Sequence, residues 1–265
     1  MALIALASAK GSPGVTTTAL LLAGVWPRRV LLAECDPSGG DVALRIPAPD
    51  GAFLDPHVGL LSLVAAGRKE LHATMIFQHT QQIVGGLEVL PGISVPEQAA
   101  GLGTRWEQLG PLFVELPECD VIADLGRIGA ASPQNALLNS ADAIVMVVGT
   151  NPSTVVHLRE RVATVQTNVG GSLGTPIHVA VVAPVKRTQA VNEIREALQR
   201  AEITVAGVHH LAYDPRGADV FQGQIRGNPR RTALVRSGIP VANQLAEATA
   251  GFVPDSVPDN AGVSP

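Results

Sequence analysis

At 265 residues the chain is long enough for one large α/β domain or two small ones, with a generous core. Its residues are 46% hydrophobic but only 3% aromatic, so that core is Ala, Val, Leu and Ile, as suits a parallel sheet covered by helices on both faces. A net charge of −4 excludes a generally basic nucleic-acid binder, and two cysteines, Cys35 and Cys119, exclude a disulfide scaffold. No apolar run reaches the roughly 18–20 residues of a membrane span, and there is no signal-peptide pattern, so the expectation is a soluble, cytoplasmic protein with reduced thiols.

In chain order, Leu3 to Ala7 is an apolar run of buried-strand type. Then comes Ala9-Lys10-Gly11-Ser12-Pro13-Gly14-Val15-Thr16-Thr17-Thr18, and after it a buried helix from Ala19 to Trp26, stopped by Pro27. Strand, glycine-rich turn, hydroxyls and helix form an arrangement that cradles phosphates, because successive backbone N–H groups and the helix N-terminus point at the anion. Against the P-loop pattern G-x-x-x-x-G-K-[ST], Gly14 and Thr16 are in place, Ala9 replaces the first glycine and Val15 replaces the lysine.

Val30 to Ala33 is a second strand, ending in Glu34-Cys35-Asp36-Pro37-Ser38-Gly39-Gly40-Asp41. Acids at a strand's C-terminal end, before a Pro/Gly turn, lie where doubly wound sheets place their ligands. Further on, Leu60 to Ala66 predicts a short helix, Leu87 to Leu90 a short strand, and Glu97 to Leu116 a helical region interrupted by Gly101, Gly103 and Pro111. The segment 121–127 repeats the theme of a strand closed by an acid and a glycine, Asp124 and Gly126. Pro133 to Leu138 reads as a short helix and Ala143 to Val148 as a strand, with a helix from Asn151-Pro152 to about Thr167. Strands follow at His178 to Val182 and Val205 to Leu211, with an amphipathic helix from Thr188 to Arg200 between them. Short helices are expected over 217–249, and a disordered Pro/Gly/Asp/Ser tail over 251–265. The alternation predicts an α/β fold: a single doubly wound, mostly parallel sheet flanked by helices, filling one domain over 1–250.

The loop at 9–18, Asp36, Asp124 and the loop after 148 then share one end of the sheet. Phosphate chemistry needs such a set: a backbone nest, a hydroxyl for Mg²⁺ (Thr16), a strand-end carboxylate for the metal or its water (Asp124), and another to position attacking water (Asp36).

Lys10 to Thr18 resembles the deviant Walker A loop of the ParA/MinD superfamily, K-G-G-x-G-K-T-T, with Lys10 on the signature lysine. Val30 to Gly39 is similar to V-L-L-I-D-x-D-P-Q-G, which places Asp36 on the catalytic aspartate and Glu34 on the first. Cys119 to Asp124, Ser140 to Val145 and Leu87 to Gly92 resemble three further family segments. The resemblance implies a P-loop NTPase fold that binds ATP and Mg²⁺ and forms a homodimer on nucleotide binding, with Lys10 reaching the partner's site. Lys10 and Asp36 would be catalytic. Lys10, Gly11, Ser12, Pro13, Gly14, Val15, Thr16 and Thr17 would line the nucleotide, joined by Arg127 and Pro184. Thr16, Asp36 and Asp124 would face the metal. Such proteins position plasmids, chromosomes, division inhibitors and secretion or pilus machines (TadZ-like members among them), and partner proteins are expected.

Valine in place of the loop lysine removes a charge-assisted phosphate contact of about 1.5–3 kcal/mol, and more in the transition state, so hydrolysis is expected to be slow. Lys10 and Arg127 are the cations placed to compensate. The family's adenine-reading Asn is missing after residue 182, where Ala183-Pro184-Val185-Lys186 stands, which leaves the base open. Arg216, Arg226, Arg230, Arg231 and Arg236 form a basic C-terminal region, read either as a non-specific DNA patch or as a solvated face or partner-protein site. No Lys-rich amphipathic C-terminal helix is seen, so direct membrane insertion is not expected. Two further readings stand beside the switch: a catalytically inactive scaffold that binds a partner ATPase or membrane machinery, and a ligase-like metabolic relative of the same fold.

Overall fold

In the computed structural model, residues 1–10, 14–67, 70–170, 174–224 and 228–250 are described. The expected tail at 251–265 and the loop residues Gly11, Ser12 and Pro13 lie outside them.

Strand β1 (Leu3–Ser8) lies between β5 (Asp120–Arg127) and β6 (Ala143–Val148), parallel to both. Outward on one side come β2 (Val30–Glu34), β4 (Glu88–Leu90) and β3 (Gln81–Gln82), and on the other β7 (Ile177–Ala183) and β8 (Gly207–Ala212). The sheet order is β3-β4-β2-β5-β1-β6-β7-β8, and only β3 is antiparallel to its neighbour. The doubly wound expectation therefore holds. The two-residue edge strand β3 was not foreseen, because two glutamines carry no strand periodicity.

Strand alternation sorts the core into two layers. Leu3, Ala5 and Ala7 face the layer built by α3 (Leu60–Ala66), α5 (Trp106–Val114), α6 (Pro152–Asn168) and α7 (Ala190–Gln199). Ile4 and Leu6 face α1 (Val15–Gly24) and α9 (Ala233–Thr249). Short helices α2 (Val42–Arg45), α4 (Ala99–Leu102) and α8 (Pro215–Ala218) lie in the connections.

Two expectations are corrected. The region 217–249 does not break into short helices throughout. Beyond α8 and brief 3₁₀ turns it ends in α9, seventeen residues long, running through Gly238 and Pro240. Leu234, Val235, Val241, Ala242, Leu245 and Ala246 form a buried stripe, and Gly238 sits against Leu21 of α1. Packing on α1 outweighs the hydrogen bond that Pro240 removes. Thr232 caps this helix by accepting from the Val235 N–H at 3.2 Å. In the region 97–116, Gly101 lies inside α4 and Pro111 inside α5, while the break falls at Gly103, whose φ is +48°.

Candidate functional site

β1, β2 and β5 are parallel, so their C-terminal ends meet on one side. Glu34 is in register with Asp124, and Asp124 with Leu6. Between there and the pairing of Ser8 with Arg127, β5 carries one more residue than β1, a bulge occupied by Gly126 at φ +59°.

That glycine organises the site. A Cβ on Gly126 would fall 1.8 Å from Asp36 Oδ2, so the Asp36 carboxylate rests directly on the glycine backbone. Asp36 Oδ1 accepts from the Ser38 N–H at 2.8 Å, and burial nonetheless raises its pKa. Asp124 is only 2% exposed, accepts from the Gly126 N–H at 2.9 Å, and takes a hydrogen bond from the Thr16 hydroxyl. Burial pushes its pKa up to about 7. The Thr16 and Gly126 bonds oppose that shift, and the charges of Glu34 and Asp36 add to it. Three predicted residues, Thr16, Asp36 and Asp124, are thus brought together.

Glu34 plays a different part. It is 3% exposed; Oε1 accepts from the Asp41 and Val42 N–H groups, each at 3.0 Å, and Oε2 from the Gly92 N–H at 3.1 Å. Gly40 and Gly92 pack so closely on it that side chains there would collide. Glu34 staples the loop carrying Asp36 to the loop after β4, and no oxygen of it is left for catalysis.

Gly14 caps α1 in the left-handed region, φ +87°, and its carbonyl accepts from the Thr18 N–H at 2.8 Å. Thr17 lies beside it, half-buried. Val15 is 7% exposed and belongs to the core layer under α9, so the position of the P-loop lysine holds an inward-packed methyl pair and no donor.

The remaining predicted residues among those described, Lys10, Arg127 and Pro184, are exposed. Lys10 is exposed, with Nζ 3.1 Å from Nε2 of His157 on α6. Arg127 is exposed and forms no ion pair with the carboxylates among the described residues. Pro184 is exposed just beyond β7, its carbonyl accepting from the Arg187 N–H at 2.8 Å. Ala183 is in register with Ala212, so Pro184 and Tyr213 leave the sheet side by side. Asp214, near the base region considered in the sequence, is occupied elsewhere: it accepts from Gly217, Ala233 and Leu234 N–H groups and caps α8. Arg216, Arg230, Arg231 and Arg236 are exposed, while Arg226 lies outside the described residues.

Two polar residues at this end escaped sequence reading. Gln134, fully buried, donates through Nε2 to the Leu125 and Arg127 carbonyls at 3.0 and 3.1 Å, clamping the bulge around Gly126. His157 is the other. Gln134 left one signal, an amide in a short helix that otherwise packs by Leu137 and Leu138.

The donor set fits a hard divalent cation. Among the described residues no three His, Cys, Asp or Glu side chains converge. Asp124 and Thr16 offer one carboxylate and one hydroxyl, a donor set that would suit an ion keeping several waters, as Mg²⁺ does. A buried, desolvated Asp124 with no cation among the groups acting on it is the observation that fits.

A glycine-capped loop entering α1, hydroxyls behind it and strand-end carboxylates on a doubly wound sheet define a P-loop nucleoside-triphosphatase fold. Sequence comparison with family models and with curated proteins finds no match. Solved structures are similar: a ParA family ATPase from Chlorobium tepidum TLS at 13% identity and TM-score 0.70, covering 91% of this chain and 98% of its own. The Pyrococcus furiosus cell division ATPase MinD aligns at 16% identity and TM-score 0.68, covering 93% and 98%. The septum site-determining protein MinD of Pyrococcus horikoshii OT3, complexed with Mg-ADP, aligns at 15% and 0.65, covering 95% and 99%. The fold of this chain is that of the ParA/MinD ATPases. Among the described residues no helix is long and apolar enough to cross a membrane.

Proposed function

We propose that this chain is a ParA/MinD-like ATP-binding protein, a nucleotide-gated dimeric switch in partitioning, cell positioning or assembly of a secretion or pilus apparatus, with slow hydrolysis. The observation that carries the reading is the seating of Asp36 on Gly126, beside Asp124 and its Thr16 partner. Thr16 and Asp124 are the residues that would hold Mg²⁺, which when bound supplies the positive charge between phosphates and carboxylates. Asp36 orients the attacking water and accepts its proton. The loop that Gly14 closes is assigned to the phosphates, which backbone N–H groups at the start of α1 would meet, and Lys10 to the partner's site. The fold's likeness to a MinD complexed with Mg-ADP supports the nucleotide assignment.

Burial of Val15 leaves the transition state short of a cation in cis, hence the slow turnover. The same burial favours a second reading, an inactive scaffold that keeps the dimer surface and binds a partner. Light scattering of the full chain with and without Mg·ATP separates the two: dimers that form only with nucleotide support the switch, and an oligomeric state indifferent to nucleotide overturns it. The exposed C-terminal arginines are assigned to a partner protein or to DNA, and salt-dependent DNA retention distinguishes these.

A further inference from the structure

Lys10 is the cation nearest the loop, and its resting place is specific. β1 and β6 are parallel neighbours, with Ala7 in register with Met146, so the end of β1 and the start of α6 share one edge of the site. From there Lys10 Nζ lies 3.1 Å from His157 Nε2, 147 residues away. An ammonium has only donors, so this contact requires a lone pair on Nε2, which places the ring proton on Nδ1. Nδ1 in turn lies 3.6 Å from Glu160 Oε2, one turn along the same helix. The acceptor is mounted firmly. Leu158, Val162 and Val165 bury the inner face of α6, and the Thr154 hydroxyl donates to the Asn151 carbonyl at 2.7 Å in its first turn.

We propose that His157 is the resting acceptor of Lys10, a positioning residue that keeps the lysine on its own subunit until nucleotide and a second copy draw it away. The inference rests on the switch reading above. It assigns His157, through the Nε2 lone pair that meets Lys10 Nζ, the task of holding Lys10 off the carboxylates of its own subunit. With Val15 buried and Arg127 unpaired with those carboxylates, the location of Lys10 then decides when the site receives a lysine's charge.

The test uses the full chain and two readouts. Acylation of Lys10 by an amine-reactive ester, followed by mass spectrometry without nucleotide, reads the contact directly. His157→Leu should speed labelling about two- to fivefold, the range of an exposed polar contact, and His157→Gln, which restores an acceptor, should return it toward wild type. In light scattering, His157→Leu should lower the Mg·ATP concentration that gives half-dimer by a similar factor, again with rescue by Gln. Unchanged labelling in His157→Leu overturns the proposal, as does faster labelling with an unchanged dimer midpoint. If the wild type never dimerises with Mg·ATP, the switch reading fails and the release step with it, while labelling still judges the resting contact by itself.

Discussion

Two ends of the same parallel sheet bury titratable groups, and they resolve the burial in opposite ways. The C-terminal ends of β2 and β5 carry Glu34, Asp36 and Asp124, and desolvation raises the pKa of each. At the starts of β7 and β8, His178 and His209 stack with ring centroids 5.2 Å apart and His178 Nδ1 3.0 Å from His209 Nε2. There burial lowers both, His178 to about 4, with the neighbouring ring adding to the effect. A buried base avoids the cost of charge by staying neutral; the histidines share one hydrogen bond beneath α9 and Gln244 is a further partner of His209, while His178 Nε2 has no hydrogen-bond partner among the described residues. The carboxylates receive N–H and hydroxyl donors, yet these do not offset desolvation at Asp124. In the function proposed above, Asp124 receives a cation.

The largest effect that separates the two ends is expected from Asp124→Asn. The folded pKa of Asp124 is raised from 3.8 to about 7, so the stability it contributes is fully present below 3.8 and is lost as pH rises through 7. An amide keeps an acceptor for Thr16 and Gly126 without the buried charge. In urea titrations the variant should exceed wild type by about 4 kcal/mol above pH 8, with the gain shrinking toward pH 4. It should at the same time lose Mg²⁺-dependent nucleotide binding. Equal stability at both pH values would remove the strained carboxylate from the comparison.

The histidine end should show the opposite slope. His178 is lowered from 6.5 to about 4, so its contribution is intact above 6.5 and is lost as pH falls toward 4, by up to about 3 kcal/mol. His178→Leu should flatten stability against pH across that window and leave nucleotide binding untouched. A profile as steep as wild type would place the acid sensitivity elsewhere.

A smaller effect sharpens the geometry. Gly126→Ala combines φ +59° with a Cβ on top of Asp36 Oδ2, and should cost about 1–2 kcal/mol and displace Asp36. Gly24→Ala is its control: nothing lies within 4 Å of that Cβ, at the end of α1, and the substitution should be neutral or stabilising by less than about 1 kcal/mol. Equal thermal shifts in the two variants would contradict the seating of Asp36.

Much of this arrangement was legible before any coordinates. Strand-end acids followed by glycine located Asp36 and Asp124, because parallel strands carry their C-terminal ends to one side whatever the register. The loop hydroxyl Thr16 followed from its distance to Gly14. What stayed hidden depends on contacts between distant segments. Nothing local marks His157 as the neighbour of Lys10, or Gln134 as the clamp on β5. Sequence alone predicts short helices over 217–249 because it omits the face of α1 that α9 covers through Gly238. Glu34 aligns with the first aspartate of the family segment, and the structure gives its length a purpose, since the longer carboxylate bridges two loops. Arg127, a sequence candidate for the missing charge, is not joined to the carboxylates.

The central claim is that these carboxylates and Thr16 hold a nucleotide through a metal despite the buried Val15. Calorimetric titration of ATP into the full chain, with and without Mg²⁺, tests it most directly. The account predicts binding that appears only with Mg²⁺ and disappears in Asp124→Asn. Absence of binding under both conditions, or binding indifferent to Mg²⁺ and to that substitution, would contradict it.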